Sequence, residues 1–229
     1  MSDTDPAADP RPYHHGALHQ AIVDAALETL AETQSTAFSL RELARRAGVS
    51  HNAPYKHFAD KRELLAAVSA VGFERLSEKM LAATGTLSHP RDRLATVARA
   101  YVEGGVANPA LYRLMFSGPD GTRYPNEERA AERMKGIVLS AIGDGALGEA
   151  LPQSPDQARQ LDAAILIFWS QMHGLTLLLA DRLVGPADAA GALSETALQG
   201  LIDGLAHRVP PLPPGIWVGP PPADAPAMS

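Results

Sequence analysis

No cysteine occurs in the 229 residues, which excludes disulfides, thiolate metal ligation and a cysteine nucleophile. No apolar run approaches the ~20 residues that a membrane helix needs. The N-terminus is acidic and polar, unlike a secretory signal. A catalytic constellation is also missing: His89 and His173 stand isolated from any nucleophile. His15 and His19 are four apart, as in zinc-binding helices, but lack the intervening general-base Glu and a third ligand. Positive charge is not in excess, with 20 Lys and Arg against 26 Asp and Glu and a net charge of −6. These absences predict a soluble cytoplasmic protein without metal, cofactor or enzymatic activity. What remains is ordinary for a globular chain, 45% apolar and 20% charged, and long enough to bury a substantial core.

The chemistry that is present centres on Ser39–Phe58. Ser39 is placed to cap a short helix, and Glu42 can reach back to the cap's own amide in a capping box. Leu40, Leu43, Ala44 and Ala47 recur at steps of three and four, giving one apolar face. Arg41, Arg45 and Arg46 fall off that stripe. Gly48 ends the helix, where positive φ costs a residue without a Cβ little. Val49 is then an apolar plug, and Ser50 is placed to cap a second helix, expected over His51–Phe58. Helix, glycine turn and capped second helix are the sequence form of a helix-turn-helix.

In the first turn of that second helix, His51, Asn52 and Ala53 are expected to face solvent or a major groove. Asn suits adenine N6 and N7, and Ala suits a thymine methyl. Pro54 is tolerated near a first turn because its missing N–H is not needed there. Tyr55, Lys56 and His57 follow as donors to phosphate oxygens, and Phe58 returns to the core. Asp60 and Glu63 form a second capping box, which would set Lys61 and the first-turn amides against a phosphate backbone. A small helical hairpin with solvated charges is the plainer reading of the same stretch.

The motif Leu40-x-x-Leu43-Ala44-x-x-Ala47-Gly48-Val49-Ser50, followed by Tyr55-x-His57-Phe58-x-x-Lys61-x-x-Leu64-Leu65, resembles the TetR (tetracycline-repressor-type) family of bacterial transcriptional regulators. The resemblance implies an all-α homodimer, with an N-terminal three-helix DNA-binding domain and a C-terminal effector-binding and dimerisation domain. It also implies phosphate contacts at Tyr55, His57 and Lys61. The chain departs from the commonest family form by carrying Ala53-Pro54, which leaves His51 and Asn52 as the expected base readers. The expected DNA-contact set is Ser39, Arg41, Ser50, His51, Asn52, Ala53, Tyr55, Lys56, His57 and Lys61, on double-stranded DNA with a palindromic operator. The overall negative charge is a weak objection. Phosphate binding depends on the field within a Debye length, and Arg41, Arg45, Arg46, Lys56, Lys61 and Arg62 cluster here.

In chain order, residues 1–12 carry Pro6, Pro10 and Pro12 without periodicity and read as a disordered arm. Arg11, His14 and His15 either touch DNA or form a frayed helix start. Residues 13–62 form the helix-turn-helix domain, whose first helix buries Leu18, Ile22, Ala25, Ala26 and Leu30. Residues 63–208 form the second domain, giving about nine helices in all. Its first helix, Lys61 to about Ala82, reads as a connector. Further helices are expected over His89–Ala107, through Leu111–Phe116, over Glu127–Ala150, from a Ser154 cap to Leu183, and over Ala187–His207. From Val209 on, eight prolines exclude a helix and predict a disordered tail over 209–229.

The long helix through Trp169 is apolar on more than one side, so it and the last helix are expected to form a four-helix homodimer interface with their twins. Tyr101, Tyr112, Met115, Phe116, Trp169, Met172 and His173 read either as an adaptable pocket for a small apolar or aromatic effector or as plain core. The run Trp169-x-x-x-His173-Gly174, with Asn108-Pro109-x-Leu111-Tyr112, resembles one subgroup of TetR C-terminal domains. Two further classes stay open: a DNA binder that ignores small molecules, and a helical enzyme with a DNA-binding head.

Overall fold

Proline sets the starts of the later helices. The computed structural model describes residues 15–85, 87–117, 123–143, 154–184, 190–206 and 210–213. Among them are eight α-helices and no strand: α1 (His15–Thr33), α2 (Leu40–Arg46), α3 (Lys61–Thr84), α4 (Pro90–Ala107), α5 (Pro109–Phe116), α6 (Pro125–Ile142), α7 (Pro155–Ala180) and α8 (Ala190–Ala206). Each helix from α4 to α7 opens on a proline, where the missing N–H would have no intrahelical partner. The chain falls into two compact units, Met1–Val68 and Ser69–Ser229.

In the first unit the core is built from Ile22, Ala26 and Leu30 of α1, Leu43 and Ala44 of α2, and Phe38, Phe58 and Leu64 around them. The Ser39 hydroxyl accepts the Glu42 N–H at 3.2 Å, as the cap requires. At the other end of α2, Gly48 has φ +69°; its N–H donates to the Arg45 carbonyl at 3.2 Å, and that of Val49 to Ala44 at 2.9 Å. That pair of bonds is a Schellman motif. Asp60 accepts the Glu63 N–H at 2.9 Å, while the Glu63 carboxylate returns to the amide of Ala59 rather than to that of Asp60.

The expected helix over His51–Phe58 is replaced by a turn and a single 3-10 turn at Pro54–Lys56. Pro54 cannot donate to the Ser50 carbonyl, as an α-helix would require, and the Ala53 N–H takes that oxygen instead at 2.9 Å. The residue entering the 3-10 turn is Ala53, without a side-chain cap, so Ser50 does not fill the capping role expected of it.

In the second unit α4 is the central helix, packed against α5, α6, α7 and α8. Its buried face carries Leu94, Val97, Ala98, Tyr101 and Val102. α6 begins two residues earlier than the sequence suggests, and its buried Glu127 accepts a hydrogen bond from the buried Ser69 hydroxyl at 2.7 Å. The Ser154 hydroxyl caps α7 by accepting the Gln157 N–H at 3.3 Å. The helix stops at Ala180, ahead of Arg182 with φ +55°.

α7 corrects one expectation. Its 26 residues have a mean hydropathy of 1.6 over the best window, long and apolar enough by length and composition to cross a membrane. Asp162, Gln171 and His173 break its apolar residues into shorter stretches, which hides the high average. In the fold, Ala164, Ile165, Phe168, Met172 and Thr176 are buried in the helical core. The expected arm at 1–12, the end of the helix over 144–150 and most of the proline-rich tail lie outside the described residues. Within the tail, the Leu212 N–H donates to the Arg159 carbonyl at 3.2 Å.

Candidate nucleic-acid interface and ligand cavity

In the first unit the turn after α2 carries two kinds of side chain. Ala53, Pro54 and Phe58 are buried beneath it, while His51, Asn52, Tyr55 and Lys56 are exposed. Burial leaves the Ala53 methyl 6% exposed and packed into the unit's own core, which corrects its expected place facing a groove. Tyr55 is 50% exposed, a large ring left half in solvent. His57 is half-buried and meets His19 edge-on at 6.2 Å between ring centroids. His19 in turn lies 4.7 Å from the Phe58 ring, so it braces the turn from below. Burial holds the His19 imidazole below its ordinary pKa; the neighbouring His57 adds to this and Glu63 opposes it.

The cations divide in the same way. Arg41, Arg45 and Lys56 are exposed, with no acidic partner among the described residues. Lys61 lies 5.1 Å from the Phe38 ring centroid, a cation–π contact that fixes its stem. Arg46 is committed elsewhere: its guanidinium donates to Glu32 at 2.6 Å and to Glu28 at 3.3 Å. The hydrogen bond from Arg46 holds the Glu32 carboxyl below its ordinary range. The sequence counts Arg46 with the free cations, but α1 neutralises it. Ser39 is exposed yet engaged as a cap, and Ser50 is exposed at the turn.

In the second unit the structure brings together most of the expected pocket residues. The Tyr112 hydroxyl is hydrogen-bonded to that of Tyr101 at 2.9 Å and lies 2.8 Å from His173 Nδ1. Hydroxyl and imidazole can each donate or accept, and the His173 tautomer sets the direction of that contact. Phe116 packs 4.9 Å from both Tyr112 and His173. Burial raises Tyr112 to about 12, although its hydrogen bonds with Tyr101 and Thr176 pull the other way. Burial pushes Tyr101 up as well, and it holds His173 below its ordinary value. Met172 is fully buried and its carbonyl accepts the Thr176 hydroxyl at 2.7 Å.

This cluster is packed rather than hollow. Trp169 and Tyr101 border a void of only about 10 Å³. Beside it lies a cavity of about 150 Å³ between α3, α4 and α5, whose walls include Tyr112 and Met115 of the expected set. Its other walls are Gly72, Arg75, Leu76 and Lys79 on α3, Gly104, Gly105 and Ala107 on α4, Asn108 at the α4–α5 junction, and Leu111 on α5. None of these nine carries a pocket signal in its residue type. The signal is in the spacing, since Gly72, Arg75, Leu76 and Lys79 recur at steps of three and four along one helix face.

Residues 22–68 match the family described as bacterial regulatory proteins, tetR family, and residues 94–201 match the tetracyclin repressor-like C-terminal domain. The chain is 32% identical over 189 residues to the HTH-type transcriptional regulator BetI of Rhizobium meliloti (strain 1021), covering 82% of this chain and 76% of that protein. A solved structure from Rhodococcus sp. RHA1, described as a protein with unknown function, is 32% identical. Its TM-score is 0.65, and 84% of this chain and 100% of that one are covered. The fold is also that of a TetR family transcription regulator from Marinobacter aquaeolei VT8, with TM-score 0.60, 18% identity and coverage of 82% and 95%. An exposed polar turn over a capped helix pair, an all-helical second unit and these matches agree: the chain belongs to the TetR family and is a DNA-binding transcriptional regulator, not an enzyme.

Proposed function

We propose that this regulator is a repressor that binds a palindromic operator as a dimer and is released by a small apolar or aromatic effector. The observation that carries the DNA-facing part is the turn at residues 51–56. It exposes His51, Asn52, Tyr55 and Lys56 above a buried Ala53-Pro54 base, so its polar side chains serve no core. His51 and Asn52 are assigned to base edges, while Arg41, Tyr55, Lys56, His57 and Lys61 set the register on phosphates. The dimer is assigned to α7 and α8. Leu166 and Leu178 are 44% and 41% exposed on α7, and Gly174, Gly200 and Gly204 have nothing within 4 Å of where a Cβ would stand, which leaves room for a partner helix. The effector is assigned to the cavity beside Tyr112. It acts by favouring a dimer whose reading heads no longer match the half-sites, which requires different affinities for the two conformations.

Fluorescence anisotropy on DNA from the gene's own upstream region, across a salt series, tests this reading. Specific binding is expected to saturate at two or four subunits per site. Lys56→Ala is expected to reduce the salt slope by about one. Asn52→Ala is expected to weaken operator binding by ~1–3 kcal/mol while leaving scrambled DNA nearly unaffected. Equal loss on both DNAs would remove Asn52 from base reading. Saturation at one subunit would remove the dimer.

A further inference from the structure

We propose that the cavity between α3, α4 and α5 is built for a small carboxylate: an apolar body of about benzene size, with its carboxylate on Arg75. The inference deepens the effector reading above and rests on it only in calling the ligand an effector.

Size comes first. A cavity of about 150 Å³ is of the scale that takes a benzene-sized body, and long-chain or fused-ring molecules exceed it. The floor is apolar, formed by Leu76, Leu111 and Met115 against glycine backbone. Those side chains use the space that the glycines leave. A Cβ on Gly72 would stand 2.6 Å from Met115 Sδ, and one on Gly104 would stand 2.6 Å from Leu76 Cδ1. That part of the wall is therefore apolar and closely fitted.

Charge decides the ligand class. Two cations, Arg75 and Lys79, lie one turn apart at the lip. Lys79 Nζ is neutralised by Glu103 at 3.1 Å. Arg75 has no acidic partner among the described residues, although Arg91, Arg99 and Arg113 of the same unit each have one. The lip thus carries one uncompensated guanidinium above an apolar floor. A cationic ligand would meet repulsion there, and a neutral one would leave the guanidinium to water. A carboxylate can accept two N–H bonds from it side by side.

Calorimetric titration of the full-length protein at neutral pH tests this. Benzoate, cyclohexanecarboxylate and 3-methylbutanoate are compared with neutral benzamide and cationic benzylammonium. At least one of the acids is expected to bind, and more tightly than both benzamide and benzylammonium. Arg75→Gln, on the exposed side of a helix, keeps the fold and is expected to weaken the acids by about 10- to 100-fold. Arg75→Lys is expected to fall between, and benzamide is expected to be insensitive to either change. Failure of all three acids on the wild type, unchanged affinity in Arg75→Gln, or tighter binding of benzylammonium would each overturn the assignment. Anisotropy on operator DNA, read in parallel, separates the two claims. An acid that binds through Arg75 without releasing DNA supports the site and removes release as its consequence. A different compound that releases DNA while no acid binds upholds the effector reading and overturns this one.

Discussion

Gly105→Ala and Gly136→Ala make the same chemical change in one unit and are expected to move stability in opposite directions. Both glycines lie inside helices, α4 and α6, so each alanine gains ~0.5–1 kcal/mol from helix propensity and reduced freedom of the unfolded chain. At Gly136 nothing lies within 4 Å of the new Cβ, and that gain is the whole effect. At Gly105 the Cβ would stand 2.3 Å from Thr176 Cγ2 and 2.7 Å from Tyr112 Cδ2. Neither neighbour can retreat cheaply. The Thr176 hydroxyl is tied to the Met172 carbonyl at 2.7 Å, and Tyr112 is held at Tyr101 and close to His173. Overpacking of this kind costs ~1–3 kcal/mol, which exceeds the propensity gain and leaves a net loss of about 1–2 kcal/mol. Urea unfolding followed by far-UV circular dichroism, at one protein concentration, reads the difference as a shift in midpoint at unchanged slope. Gly105→Ala as stable as wild type would mean that α4 does not approach α5 and α7 as closely as the structure has it.

Other tests are shorter. Gly48→Ala meets no neighbour but must hold φ +69°, so it is expected to cost ~1–2 kcal/mol in urea unfolding from backbone conformation alone. A neutral result would dissolve the Schellman motif. Asp60→Ala removes the acceptor for the Glu63 N–H and is expected to cost ~1 kcal/mol by the same assay. His19 and His173 have folded pKa values below the ordinary one because burial disfavours the imidazolium. Between the lowered folded value and the ordinary ~6.5 the unfolded chain binds more protons. Their contribution is thus complete above that pH and is lost as pH falls below it. Melting temperature is expected to drop from pH 7.5 towards 5.5 and to drop less in His19→Gln/His173→Gln; an equal slope in the double variant would remove these residues as the cause. Leu166→Glu with Leu178→Glu is expected to yield monomers by analytical ultracentrifugation while helix content is kept. An unchanged dimer would place the interface elsewhere.

Local rules carry far in this chain. Apolar periodicity and the Ser39, Asp60 and Ser154 caps are properties of neighbours within a few residues, so the helices and most of their ends could be read directly. Gly48 declared its positive φ because few other residues take it at low cost. The same locality made the turn legible as a polar surface element, and His51, Asn52, Tyr55 and Lys56 are exposed there. Pro54 is plain in the sequence, but its consequence is not. Losing one N–H shortens the second helix to a 3-10 turn and buries Ala53, because the Ser50 carbonyl takes a different donor.

Partners distant in sequence could not be read. Arg46 looks like its neighbours Arg41 and Arg45 until α1 brings Glu28 and Glu32 against it. Of the seven residues expected at the pocket, Tyr101, Tyr112 and His173 join in a hydrogen-bonded cluster, and only Tyr112 and Met115 wall the adjoining cavity. The usable space lies where glycines on different helices let side chains pass, and a sequence does not say which glycine will face which neighbour. Sequence alone determined the longer helices, the Gly48 turn and the family, because short-range sterics and hydrogen bonding decide them. Only the tertiary structure decided which charges are spent and where the cavity lies, because those depend on groups that meet in space across long stretches of chain.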